Sequence, residues 1–312
     1  MGKPRPPAQL HGLLALDKPA GLTSRVALDR AARCLGERRC GHAGTLDPMA
    51  TGVLLLAFGE ATKAVSAWMA APKAYRAVVR FGLATTTDDG EGAPLRSAPV
   101  PSELTDAALQ AVLDRWVGWL DQVAPQVTAL HQDGERDHAR VRRGEHVLRP
   151  PRRVRLDSVR VQGIDGAEVI LDVECGAGFY VRALARDLGE ALGSAAHLAG
   201  LRRTRAGGFG VAEAVTLADL EAAGPLAARL RVLPPIEAIA RVLPVVEIDD
   251  ATAKALCDGK HPPVPEVGEG VHLIVSAGRP VCLAERDPER GVDCVAIQRG
   301  FHFPVDACET QE

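Results

Sequence analysis

The sequence predicts an α/β (α+β) fold followed by a small β-rich unit, and three observations carry that prediction. Residues 13–16 read as an apolar strand that runs into the turn Asp17-Lys18-Pro19-Ala20-Gly21 and then into a helix. The run Val53-Leu54-Leu55-Leu56-Ala57-Phe58 is apolar at every position, as a strand covered on both faces requires. A strand, glycine turn and helix recur from Glu168, and beyond Leu243 the chain becomes acidic and strand-like.

Each element has a local reason. Thr23 or Ser24 can cap the first helix, whose apolar face is Leu28, Ala31, Ala32 and Leu35. A glycine-rich loop over residues 41–51 feeds the apolar run, so the loop sits at the mouth of a central strand. Residues 75–81 alternate as another strand, and residues 85–101 read as a long polar, acidic connection. Helical spacing returns at Ala108, Leu109, Val112, Leu113 and Trp116, after which Pro150-Pro151 breaks any regular helix across an arginine-rich stretch. From Glu168, the residues Val169, Leu171, Val173 and Cys175 form the buried side of a strand. Gly176-Ala177-Gly178 then turns it into a helix with Val181, Leu184, Ala185, Leu188 and Leu192 inward. Pro234-Pro235 interrupts an Ala/Leu/Arg-rich stretch, and strands are expected at 245–248, 271–276 and 292–297. The expected organisation is a flexible N-terminal segment over residues 1–11, a large domain over 12–242 and a small one over 243–312.

The 312 residues suffice for one large domain with an appendage. At 46% hydrophobic and 25% charged, they exclude disordered, collagenous and membrane classes. The formal charge of −3 speaks against a polyanion partner until it is divided. Residues 243–312 carry 6 basic and 13 acidic side chains, leaving residues 1–242 at net +4. Nine arginines, Arg136, Arg140, Arg142, Arg143, Arg149, Arg152, Arg153, Arg155 and Arg160, crowd residues 135–160 against 4 acids. A basic rim within residues 122–160 is therefore open to RNA, or is a solvated face.

Seven scattered cysteines without a C-x-x-C pair indicate neither a disulfide framework nor a thiolate zinc site, and a reducing cytoplasm is expected. No apolar run approaches bilayer length. Zinc-peptidase, Rossmann and P-loop signatures are missing, which disfavours those three readings.

Two segments can carry chemistry. In Gly41-His42-Ala43-Gly44-Thr45-Leu46-Asp47-Pro48-Met49-Ala50-Thr51-Gly52, the glycines permit close backbone approaches and Pro48 biases Asp47 towards an extended conformation. Such an aspartate can act as nucleophile or base, or serve only as a turn residue. In Gly178-Phe179-Tyr180-Val181-Arg182, the arginine can pair with a buried carboxylate, lower its pKa and set a phenol beside it, or the segment can be an aromatic plug with a surface arginine. Tyr75 can stack on a base or simply pack. One carboxylate beside an arginine and a tyrosine does not match the two flanking carboxylates of glycoside hydrolases, and points to an isomerase.

Taken together and in order, these segments resemble the bacterial tRNA pseudouridine-55 synthases, the TruB type of pseudouridine synthase. The resemblance runs from the strand at 13–16 and the Asp17-Lys18-Pro19 turn through the Asp47 loop and Gly59-Glu60-Ala61-Thr62-Lys63. It continues through Lys73-Ala74-Tyr75 and Thr85-Thr86-Thr87-Asp88 to Gly178–Leu184 and Leu201-Arg202-Arg203-Thr204. It implies a pseudouridine synthase fold with a mixed, mostly antiparallel central sheet and a catalytic cleft, and more loosely a PUA-like C-terminal domain. It further implies Asp47 as the catalytic aspartate, Arg182 as its partner and Tyr180 as a phenol assisting deprotonation. Tyr75 is implied to stack on the flipped uracil, Leu201 to wall the pocket and His42 to fill the space left by extruded nucleotides. Gly44, Thr45 and Arg142 are implied to bind substrate. The implied substrate is the T-arm loop of tRNA at position 55, taken by a cytoplasmic monomer with no cofactor and no obligate protein partner; a non-catalytic tRNA-binding protein on the same scaffold is the alternative. The chain departs from the family pattern at Thr128, His131 and His138, and the two histidines are expected to strengthen RNA binding below about pH 6.5.

Overall fold

In a computed structural model, residues 8–102, 104–126, 150–291 and 293–303 are described, with the backbone of residues 131–132 and 135–136. Thr128, His138 and Arg142 lie outside the described residues, as does the side chain of His131.

β1 (Gly12–Lys18) leads to α1 (Ser24–Leu35), where the Thr23 hydroxyl accepts from the Val26 N–H as the N-cap. β2 (Cys40–Ala43) pairs antiparallel with β3 (Thr51–Phe58). The glycine-rich loop therefore starts at Gly44 rather than Gly41, because β3 offers a pairing edge that four residues of mixed polarity do not advertise in sequence. α2 (Val65–Ala70) precedes β4 (Lys73–Phe81). The connection expected at residues 85–101 contains most of a hairpin, β5 (Leu83–Thr85) with β6 (Pro94–Ser97). α3 (Asp106–Asp114) and β7 (Gly118–Gln122) follow, then the short strands β8 (His131–Gln132) and β9 (Glu135–Arg136).

β10 (Arg152–Asp165), β11 (Glu168–Cys175) and α4 (Val181–Ala191) lead to β12 (Ala196–Ala206). The sequence reading contains neither β10 nor β12. Arg152, Arg153, Arg155 and Arg160 occupy exposed positions of β10 and mask its alternation, whereas β12 carries a run of arginines, one of them buried. β13 (Phe209–Gly210), β14 (Val215–Thr216), α5 (Leu217–Ala222), α6 (Gly224–Arg229) and α7 (Pro235–Ala240) complete the large unit.

The main sheet runs β14-β1-β3-β12-β4-β11-β10-β7. Its pairings are antiparallel except β1 with β14 and β3 with β12, so the sheet is mixed and mostly antiparallel, as expected. β3 is buried along almost its whole length. α1, α5 and α6 cover one half of the sheet, α3 and α4 the other, and Tyr75 and Leu201 touch the apolar clusters of both halves. The cleft lies over those two residues.

β15 (Val245–Glu247), α8 (Asp250–Cys257), β16 (His272–Ser276), β17 (Arg279–Arg286) and β18 (Val295–Gly300) build a separate four-stranded sheet. β17 was not foreseen, since Arg279, Pro280 and Arg286 interrupt its alternation. Leu273, Val275, Leu283 and Phe301 share one apolar cluster with Leu13, Leu55, Trp68 and Phe209 of the large unit. A polar latch reinforces that contact. The buried Glu60 carboxylate meets Arg39 (2.7 Å) and Lys63 (2.6 Å) and accepts from the His302 N–H (2.7 Å), while Lys63 donates to the Gly300 carbonyl (2.7 Å).

Candidate active site

The Asp47 loop is fixed from three sides. The Ser24 hydroxyl, at the start of α1, accepts from the Leu46 N–H (2.8 Å) and donates to the Leu46 carbonyl (3.0 Å). The Pro48 carbonyl accepts from the Gly21 N–H (2.8 Å) and from the Lys18 ammonium (3.3 Å). Lys18 is fully buried and also donates to the carbonyls of Pro19 (2.8 Å) and Leu22 (2.7 Å). From β12, the Arg203 guanidinium donates to the Val53 carbonyl (2.6 Å) and the Gly44 carbonyl (3.1 Å). Gly52 sits in the left-handed region with φ of 100°, and a Cβ there would stand 2.1 Å from the Arg203 carbonyl oxygen. Only glycine lets β3 and β12 meet at that point.

Asp47 projects from this loop onto Arg182, the second residue of α4. Arg182 Nε lies 3.0 Å from Asp47 Oδ2 and its Nη2 donates to Oδ1 at 3.3 Å. The Arg182 side chain is 6% exposed against 33% for Asp47, so the carboxylate is the half of the pair that faces outward. Nη1 of Arg182 reaches the Thr87 carbonyl (3.0 Å) and Asp89 Oδ2 (3.3 Å). Asp89 is buried, and its other oxygen accepts from the Thr87 hydroxyl (2.5 Å) and the Glu91 N–H (3.1 Å). This corrects the single-carboxylate reading: part of the long polar, acidic connection turns inward, pinned to β12 by reciprocal hydrogen bonds of Asp88 and Gly90 with Leu198. Both Asp89 oxygens are engaged, so it anchors Arg182 rather than offering a second acid.

The expected pull of Arg182 on Asp47 is present, but burial outweighs it. Burial pushes the Asp47 carboxyl above the ordinary aspartate value; Arg182 and Lys18 pull it back only in part, and Asp89 adds to the rise. Burial likewise brings the Lys18 ammonium down to about 8. The Tyr75 hydroxyl is pushed up by burial, against the pull of Arg203, and stays neutral.

Tyr180 caps α4, and its backbone is clamped by Gln122. The Gln122 Oε1 accepts from the Tyr180 N–H (2.9 Å), and its Nε2 donates to the Tyr180 carbonyl (3.1 Å). Gly44, Thr45, Asp47, Tyr75, Tyr180, Arg182 and Leu201 all line one cavity of about 260 Å³. Of the described candidate residues, His42 alone is not among its lining residues. It sits in β2 opposite Leu56, with a buried Nδ1 that has no partner among the described residues, and burial pushes its imidazole below the ordinary range. Arg142 lies outside the described residues.

Sequence reasoning missed Asp89, Arg203, Gln122 and the role of Lys18. Each acts through a contact across 30 or more positions, and no local spacing signals that. Among the described residues no group of three or more His, Cys, Asp or Glu could hold a metal, and no helix is long and apolar enough to cross a membrane.

The arrangement offers an ionisable carboxylate aimed by an arginine, tyrosines lining the same cavity, and apolar walls that suit a planar base. Known proteins match the same segments. The family described as TruB family pseudouridylate synthase (N terminal domain) matches residues 32–181, and the tRNA pseudouridylate synthase B C-terminal domain matches residues 182–240. A protein of Aromatoleum aromaticum named tRNA pseudouridine synthase B is 43% identical over 293 residues, 92% of this chain and 94% of that protein. A protein of the same name from Xanthomonas euvesicatoria pv. vesicatoria is 47% identical over 245 residues, 78% of this chain and 79% of that protein. Among solved structures, a Cbf5-Nop10-Gar1 complex contains a chain with a TM-score of 0.73 at 26% identity, covering 94% of this chain and 85% of that one. An archaeal box H/ACA sRNP Nop10-Cbf5 complex gives 0.71 at 26% identity, covering 96% and 88%. With both family models together spanning residues 32–240 and a relative 43% identical over 92% of its length, the chain belongs to the TruB family of pseudouridylate synthases.

Proposed function

We propose that this chain is a tRNA pseudouridine synthase that isomerises a uridine of the T-arm loop, at position 55, with Asp47 as its catalytic residue. The observation that supports it most is the Asp47–Arg182 pair facing a cavity walled by Tyr75 and Leu201. The target glycosidic bond is shielded inside a folded arm, so the uridine must be flipped out to reach a carboxylate at the bottom of a cleft. Asp47, ionised and aimed by Arg182, attacks the ribose or the base. The C1′–N1 bond breaks with its electron pair left on the uracil, the uracil turns, C5 bonds to C1′, and the bond to Asp47 breaks to return its carboxylate. The C5 proton then leaves and N1 takes one up, with the Tyr180 phenol placed to assist. Tyr75 supplies a stacking face and Leu201 an apolar wall, and exclusion of water favours re-attachment over hydrolysis. Gly44 and Thr45 contribute loop backbone to the substrate, and His42 and Arg142 are assigned outer roles against the tRNA.

The tRNA is held by the arginines of the large unit and read mostly by shape. The four-stranded C-terminal sheet is read as a PUA-like domain. Tritium release from tRNA transcript carrying 5-³H-uridine tests the reading. Wild-type chain is expected to release one equivalent per tRNA and Asp47→Ala none, with tRNA binding retained. Silence from the wild type under conditions where tRNA binds overturns the proposal.

A further inference from the structure

One buried charge in the cavity wall has no part in the chemistry described above. Lys73 opens β4, two residues before Tyr75, and lines the same cavity. Its ammonium donates to the carbonyls of Trp68 (3.3 Å), Ala71 (2.6 Å) and Met69. Trp68 and Met69 belong to the last turn of α2, whose six residues include only Trp68 as a buried side chain. A helix that short gains little from its own hydrogen bonds, and its terminal carbonyls need outside donors. The Ala71 N–H returns to the Ala67 carbonyl (3.2 Å), but residue 72 is proline and has no N–H to give. Lys73 supplies the missing donors and puts a positive charge at the negative end of the helix.

Packing holds α2 mainly through Trp68, which is fully buried and donates to the Ala238 carbonyl (3.2 Å). The far side of α2 opens onto a groove of about 650 Å³ at the junction with the C-terminal sheet. On the near side, Met69 stands 49% exposed among the cavity-lining residues.

We propose that Lys73 is a positioning residue of the active site, whose ammonium staples the last turn of α2 and so holds Met69 and Tyr75 in place against the bound uridine. The proposal rests on the tRNA pseudouridine synthase reading above. Three N–H donors meet three backbone carbonyls, so Lys73 acts through the turn and not on the substrate.

The staple is sensitive to pH. Burial brings the Lys73 ammonium down to about 8, and Arg203 of β12 pushes the same way. Cys175 of β11 pulls weakly against them, its own thiol being pushed up to about 12 by burial. From α2, Trp68 and Met69 bring no titratable group. A neutral amine keeps two N–H donors for three carbonyls, so the turn loosens as pH rises through about 8.

Single-turnover rates between pH 6.5 and 9.5, tRNA binding by filter assay and amide exchange over residues 65–77 test this on the full chain. Lys73→Met is expected to lower the rate about tenfold at pH 7, a loss typical of a misplaced pocket wall, with affinity within about threefold and faster exchange across α2. Wild-type rate is expected to decline above pH 8. In Lys73→Arg, whose guanidinium stays charged, that decline shrinks, and only the share of Lys18 remains. A folded Lys73→Met chain with wild-type rate, or with reduced rate and unchanged exchange, overturns the proposal, as does an undiminished decline in Lys73→Arg. If Lys73→Arg does not fold, Lys73→Met decides alone. A wild type that binds tRNA and releases no tritium overturns the functional reading instead.

Discussion

Asp47 is held between opposed influences: burial and Asp89 favour its proton, whereas Arg182 and Lys18 favour its charge. On the proposed mechanism the ionised form attacks, so activity is expected to be lost as pH falls through a midpoint above the ordinary aspartate value of about 3.9. Arg182→Met removes the strongest pull towards ionisation and moves that midpoint further up, while cutting the rate by about a hundredfold or more. Asp89→Asn has the opposite electrostatic sign and moves the midpoint down. Rate profiles between pH 4.5 and 7 check both; shifts in the same direction exclude this account of the site. Asp89 thus bears on Asp47 through Arg182, the cation that both carboxylates meet.

At the scale of elements, the central strand β3 carries the Asp47 loop, and its burial makes it intolerant of cavities. Leu55→Ala is expected to cost about 3 kcal/mol, read by denaturant unfolding. β3 was legible in sequence because every residue of Val53–Phe58 is apolar, and β11 because Val169, Leu171, Val173 and Cys175 alternate cleanly. α1 was legible in sequence, with its cap narrowed to Thr23 or Ser24, and the structure selects Thr23. β10, β12 and β17 were not, because arginines fill positions that ordinarily show the alternation. In β12 one of them, Arg203, is buried for the sake of carbonyls 150 and 159 positions away. The site divides in the same way: Asp47, Tyr180 and Arg182 stand in unusual local motifs, whereas Asp89 sits in a stretch whose polarity reads as solvent exposure until Arg182 is placed beside it.

Over the whole molecule, the formal charge of −3 is the sum of a net +4 region that contains the site and a net −7 C-terminal region. RNA affinity is therefore expected to fall steeply between about 50 and 200 mM salt, which a filter-binding titration measures. The two units meet through an apolar cluster and the Glu60 latch. Burial opposes the Glu60 charge, but Lys63, the His302 N–H and Arg39 together hold the carboxyl below its ordinary range. A depressed carboxylate stabilises the fold above its unfolded value and ceases to do so as pH falls through the folded one. Glu60→Gln is expected to cost about 3 kcal/mol at pH 7, and less as the medium is acidified. Thermal melts at pH 7 and at pH 4 test the difference.

The position of β12 in the sheet has a further consequence, for the order of events at the ribosome. The Asp47 loop is synthesised early, but Arg182 follows it by 135 positions and Arg203 follows Gly44 by 159. β12 must then slot between two strands that are already complete, β3 and β4. Such distant closures slow folding. A nascent chain that has emerged only through β11 owns the aspartate yet lacks the cation that aims it. On the proposed mechanism, RNA modification is expected only after β12 has emerged, about two thirds of the way along the polypeptide.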